Sequence, residues 1–166
     1  NSQGFINGYP GSRHDIGASV IAEQNDAMQR DYWYTTARDY RDLESAESVG
    51  KRTGERAIAR LNAKKIGTQQ VPVIFEAPIA SGLIGSFVNA VSGGSLYRKS
   101  SFLLDSLGKQ IFSPNVQLRE SPFIKKGLAS GAFDNEGVAT HERDVIKDAV
   151  VQGYFLSSYS ARKLGM

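Results

Sequence analysis

The chain contains no cysteine. That excludes a disulfide framework and any thiolate metal site, and it fits a reducing compartment. Long hydrophobic runs are also missing. No stretch reaches the roughly 18 consecutive apolar residues of a membrane-spanning helix, and the opening residues lack a charged-then-apolar leader pattern. Charge of one sign is not concentrated either. The 20 basic and 17 acidic residues leave a net charge of +3. Lys64-Lys65 and Lys125-Lys126 are pairs rather than blocks. A nucleic-acid binder shows a basic stripe with interleaved aromatics, so this pattern reads as an ordinary solvated surface.

What is present suffices for a folded core: 166 residues, of which 40% are hydrophobic. The length predicts one domain spanning 1–166. The chain opens on Asn1 and stops at Leu164-Gly165-Met166, inside a helical pattern, so the reading predicts the central part of a longer protein. Ile16–Ala22 and Asp31–Asp39 are rich in β-branched and aromatic residues around Glu23-Gln24-Asn25-Asp26, which predicts a hairpin. Ala46, Val49, Thr53, Ala57 and Leu61 recur at helical spacing, which predicts a helix over 45–64 capped by Ser45. Val71–Phe75 reads as a short strand, apolar on both faces and therefore buried.

A second helix should follow, with Pro78 in its first turn and Gly93-Gly94 at its end. Its stripe of Ile79, Leu83, Ile84, Phe87, Val88 and Val91 is expected to be core. Residues 95–112 allow either a helix broken at Gly108 or an extended loop. Strands are expected at Val116–Glu120, at Val138–Ile146 and, after a turn near Lys147-Asp148, at Ala149–Leu156. A short terminal helix begins at Ser157-Ser158. The fold class expected is α+β: a mixed or antiparallel sheet with two main helices.

The reactive groups are sparse. His141-Glu142 begins like a zinc-protease signature, but HExxH finds Val145 and HExxxH finds Ile146 where the second histidine belongs. Ser106-Lys109 and Ser160-Lys163 match SxxK at about the frequency composition alone predicts, and Ser81 has neither a GxSxG frame nor a base nearby in sequence. No GxxxxGK[ST] or GxGxxG marks the junction after Phe75, and Glu76 there would repel an anion. Two features remain distinctive. The second helix has a face of small residues, Ser81, Gly82, Gly85, Ser86, Asn89 and Ser92. An acidic turn, Phe133-Asp134-Asn135-Glu136-Gly137, lies between glycines. The small face reads either as a close contact with another backbone or as a cavity wall that admits an extended peptide. The acidic turn reads either as an ordinary loop or as part of that cavity.

The segments SVIAEQNDAMQRDYWYTTARDYRDLES, SLYRKSSFLLDSLGKQIF and GLASGAFDNEGVATHERDVIKDAVVQGYFLSSYSARKLGM resemble the TldD/PmbA family, on its PmbA (TldE) branch. The FDNEGVAT and SYSARKLG stretches carry the likeness most specifically. The resemblance implies a cytoplasmic, heterodimeric metalloprotease that cleaves unfolded or extended peptides, in peptide maturation and antitoxin degradation. The TldD-like partner would carry zinc on an HExxxH helix. The branch is also named for modulation of DNA gyrase, so direct regulation of gyrase or DNA is the alternative function. Aligned on the partner's motif helix, the first metal histidine falls at Glu76, the general base at Ala77 and the second histidine at Ser81. The resemblance therefore implies a non-catalytic subunit with no catalytic, metal or cofactor residue of its own. Its expected peptide-facing residues are Ser81, Gly82, Gly85, Ser86, Asn89, Phe133, Asp134, Glu136 and Gly137.

Overall fold

A computed structural model describes residues 1–166. The chain divides into two compact units. One comprises residues 7–70 and 124–130; the other comprises 1–6, 71–123 and 131–166.

The first unit is built on the hairpin that the sequence predicts. Strands β1 (His14–Gln24) and β2 (Ala27–Ala37) pair antiparallel along their full length, from His14↔Ala37 to Gln24↔Ala27. Asn25 and Asp26 form the two-residue turn, with φ of 48° and 63°. Two successive left-handed residues match the right-handed twist of a hairpin, and Asn and Asp tolerate that region best among residues with a side chain. Helix α1 (Ala46–Ala59) packs on the hairpin through Val49, Thr53 and Ala57, all buried. The Ser45 hydroxyl caps it by accepting from the Ser48 amide. Asp31, also buried, accepts the Tyr32 amide at 2.8 Å and faces Arg56 and Arg60 at 3.5 and 3.7 Å. These groups, the Tyr32 amide foremost, hold its carboxyl below the usual range. Trp33 lies under the Arg52 guanidinium, 3.8 Å from its centroid, and donates its indole N–H to Glu44.

In the second unit, α2 (Ala77–Ala90) leads through Val91 and Ser92 into α3 (Gly93–Tyr97). A small antiparallel sheet of order β3-β4-β5 follows, from Leu118–Glu120, Arg143–Lys147 and Val150–Val151. Helix α4 (Ser158–Leu164) ends the chain, capped by Ser157 in a capping box with Ser160 and closed by Gly165 at φ 70°. Phe87, Val91, Leu96, Val145, Ile146, Val151 and Tyr154 form the core. Residues 108–111 run beside β5: Gly108 and Ile111 donate to the carbonyls of Val151 and Ala149, and Val151 donates to Lys109. The Tyr154 hydroxyl accepts the amides of Ser106 and Leu107, which fixes the preceding turn.

Several expectations are corrected. The α+β class with antiparallel pairing holds, but there are four discrete α-helices rather than two main ones, and the strands form two sheets. The extra helix arises because Val91 leaves helical geometry and Ser92, in extended conformation, caps a new helix at Ser95. Gly93-Gly94 therefore opens α3 instead of closing α2. Gly93 is required there by close approach, since an added Cβ would stand 2.1 Å from Ser160 Oγ and 2.5 Å from its Cβ. Val71–Phe75 is neither a strand nor buried. No strand of either sheet pairs with it, and Ile74 is 97% exposed. The α2 stripe is core only in its last turns, at Phe87, Val88 and Val91, whereas Ile79, Leu83 and Ile84 are exposed. The strands expected at 138–146 and 149–156 shorten to Arg143–Lys147 and Val150–Val151, and the turn between them is Asp148-Ala149.

Candidate functional site

Helix α2 supplies the first part of the candidate site. Its start is defined by Pro78 in the first turn, whose ring fixes φ where no amide hydrogen is needed. Glu76 sits at the N-cap position, but its side chain does not cap the helix. Along the small face, Ser81, Gly82, Gly85, Ser86 and Asn89 are all exposed. The Ser81 hydroxyl donates to the Pro78 carbonyl at 2.8 Å, and the Ser86 hydroxyl to the Gly82 carbonyl at 3.0 Å. Both bonds stay within α2. A Cβ built at Gly82 or Gly85 would meet nothing within 4 Å, so within this chain no backbone presses against that face. Ser92 differs: its hydroxyl is spent on the α3 cap.

The acidic turn is ordered by its own carboxylate. Asp134 accepts the amides of Glu136 and Val138 at 2.8 and 2.9 Å, and Phe133 pairs with Ala139 across the turn. Gly137 adopts φ 80° and abuts the Phe5 ring, which makes an edge contact with Phe133 at 5.0 Å. The Glu136 carboxylate accepts both the amide and the hydroxyl of Ser158, at 2.8 and 3.0 Å. It thus sits on the positive end of α4. Sequence reading misses this role, although Glu136 is acidic and Ser157-Ser158 announces a helix start. Residues 22 apart in the chain carry no local signal of their pairing. Beyond its own residues, the turn bonds to the N-terminal segment and α4, while the Ser81 and Ser86 hydroxyls bond inside α2.

The positions that the resemblance sets against a metal motif, Glu76, Ala77 and Ser81, offer a carboxylate, a methyl group and a committed hydroxyl. Zinc hydrolysis needs two imidazoles and a carboxylate base converging on one water, and this set does not fit that requirement. No group of three or more His, Cys, Asp or Glu is placed to hold a metal ion.

Residues 1–61 match the PmbA/TldA metallopeptidase central domain, and residues 68–166 match the C-terminal domain of the same family. The chain is 50% identical over all 166 residues to the metalloprotease PmbA of Escherichia coli and 45% identical to the PmbA homolog of Haemophilus influenzae. It spans 37% of the length of each. Among solved structures it resembles a protein from Bacteroides thetaiotaomicron described as a candidate modulator of DNA gyrase. That match has a TM-score of 0.93 and 28% identity, over 99% of this chain and 38% of the other.

Proposed function

Because the chain belongs to the TldD/PmbA metallopeptidase family, alongside PmbA-branch relatives, we propose that it forms part of a non-catalytic subunit of a heterodimeric metalloprotease. In this reading a TldD-like partner carries the HExxxH helix and its zinc. This chain completes the chamber that holds an unfolded or extended peptide. The small face of α2 (Ser81, Gly82, Gly85, Ser86, Asn89) lines that chamber, and the turn at Phe133, Asp134, Glu136 and Gly137 stands at its margin. The complex works in the cytoplasm. No helix of the chain is long and apolar enough to cross a membrane.

The observation that carries the proposal is the start of α2. A family built around a catalytic helix has here Glu76, Ala77 and Ser81 at the aligned positions, yet keeps an exposed face with room above Gly82 and Gly85. A helix that has lost its reactive groups but kept an open surface can still hold a substrate. Extended peptides are commonly held by adding a strand to a sheet edge, a role this reading gives to the β-rich flanks, while the small face of α2 leaves the peptide room to pass.

Co-purification of the full-length protein from its native host tests this. An HExxxH-bearing relative should accompany it in equal amount, and the pair should cut an unfolded peptide that the subunit alone leaves intact. Stoichiometric zinc and peptide cleavage by the subunit alone would overturn the reading. Direct regulation of DNA instead predicts affinity for duplex DNA that falls steeply with salt. The dispersed charge of this chain does not favour that.

A further inference from the structure

An open cleft of about 480 Å³ lies entirely within the hairpin unit. One wall is the segment 9–12, the other the segment 124–130, and His14, Arg38, Asp39 and Tyr40 lie between them. Its charges do not balance. Arg41 grips Asp39 with two bonds, Nε to Oδ1 at 2.9 Å and Nη2 to Oδ2 at 2.7 Å. Lys126 Nζ bridges Asp39 and Asp42, 2.8 Å from each. Two carboxylates are thereby shared between two cations, and the third cation, Arg38, has no carboxylate partner.

Arg38 is nevertheless held in place. Its Nη2 donates to the Leu128 carbonyl at 2.7 Å and its Nη1 to the Ser12 carbonyl at 3.4 Å, one bond to each wall. Of the five N–H groups of a guanidinium, these use two. Gly11 keeps its near side open, since a Cβ there would come within 3.0 Å of Nη1. Tyr40 and His14, in edge contact at 6.1 Å, give the cleft an aromatic side. A fixed, half-buried guanidinium with neutral acceptors and donors to spare is suited to a planar anion. The neighbouring Asp39 and Asp42 disfavour a dianion such as phosphate, whereas a single negative charge matches the single uncompensated cation.

We propose that this cleft binds a carboxylate of a peptide, with Arg38 receiving it and the aromatic side taking the adjoining apolar residue. The carboxylate is either the peptide C-terminus or an Asp or Glu side chain. The inference deepens the peptide-holding reading above and rests on it. Three tetrapeptide probes distinguish the possibilities on the full-length protein: Ac-Ala-Ala-Phe-Ala with a free carboxyl, its C-terminal amide, and the amide with Glu at the second position. Affinity is read by titration calorimetry. The Arg38 Nε–H resonance, assigned by its loss in Arg38→Lys, is read by NMR.

A charge-assisted bidentate contact gives an expected preference of about tenfold or more for a carboxylate-bearing probe over the plain amide. That preference should shrink on raising NaCl and vanish in Arg38→Met. The Arg38 resonance should shift only with probes that carry the carboxylate. The probe that binds tighter, free acid or Glu amide, identifies the source. The resonance on the unsubstituted protein decides the matter even if Arg38→Met fails to fold, as its two wall contacts would be lost. Equal binding of all three probes with the Arg38 resonance unmoved overturns the cleft proposal and leaves the peptide-holding subunit standing. Binding of none of them likewise overturns the cleft proposal, while the subunit reading stands or falls separately on cleavage by the co-purified pair.

Discussion

Asp39 shows how one carboxylate can organise a neighbourhood. Hydrogen bonds from Arg41, then from Lys126, hold its carboxyl far below the usual carboxylate range. A depressed folded-state value means the stabilisation is complete above the unfolded value of about 3.9 and fades as pH falls below it toward the folded value. Urea midpoints of the full-length protein should therefore fall between about pH 5 and pH 2. The Asp39→Asn protein should start lower and converge on the parent as the medium becomes acid. A constant offset across that range would show that Asp39 acts through packing alone. Gly93 makes a steric prediction at the same scale. Gly93→Ala places a methyl group against Ser160, so it should cost about 1–3 kcal/mol in urea unfolding unless α4 shifts.

Among the elements, α4 and the turn at Ser106-Leu107, after α3, depend on polar contacts that pattern reading cannot assign. The Tyr154 hydroxyl is the acceptor for two amides next to a buried Ser106, so Tyr154→Phe leaves both without that partner. A loss of about 1–3 kcal/mol is expected, together with faster hydrogen exchange at Ser106 and Leu107. At the other end of the unit, Ser157→Ala removes the α4 cap, and a loss of about 1 kcal/mol is expected from thermal or urea unfolding. Helix α2 is divided along its length. Phe87 and Val91 are buried and each contributes on the order of 1.5–3 kcal/mol, whereas Ile79 and Leu83, on the same stripe, lie 61% and 53% exposed and contribute little burial within this chain.

For the whole molecule, the decisive measurement is the activity of the full-length subunit with and without its proposed partner. Peptide cleavage should require both, and Ser81→Trp on the small face of α2 should impair cleavage by the pair while leaving the subunit's own unfolding free energy within about 0.5 kcal/mol. Unchanged cleavage would place that face outside the chamber. A bulky side chain there meets open space in this chain, so a drop in activity without a drop in stability isolates a role in holding peptide.

The sequence by itself determined the features whose causes are local. Asn25-Asp26 sets the hairpin turn, Ser45 and Ser157 start helices, and period-3.6 spacing makes α1 and α2 helical. The lack of any HExxH or HExxxH motif is equally plain in the sequence. Tertiary structure decided what depends on partners distant in the chain. Val71–Phe75 has strand-like composition but no neighbour to pair with, and a strand exists only as part of a ladder. The upper α2 stripe is apolar, but burial depends on what lies opposite, and only its last turns meet the core. Glu136 finds Ser158, and Lys126 finds Asp39, because the fold closes the chain on itself. Spacing along a chain fixes which residues share a face; only folding fixes what that face meets.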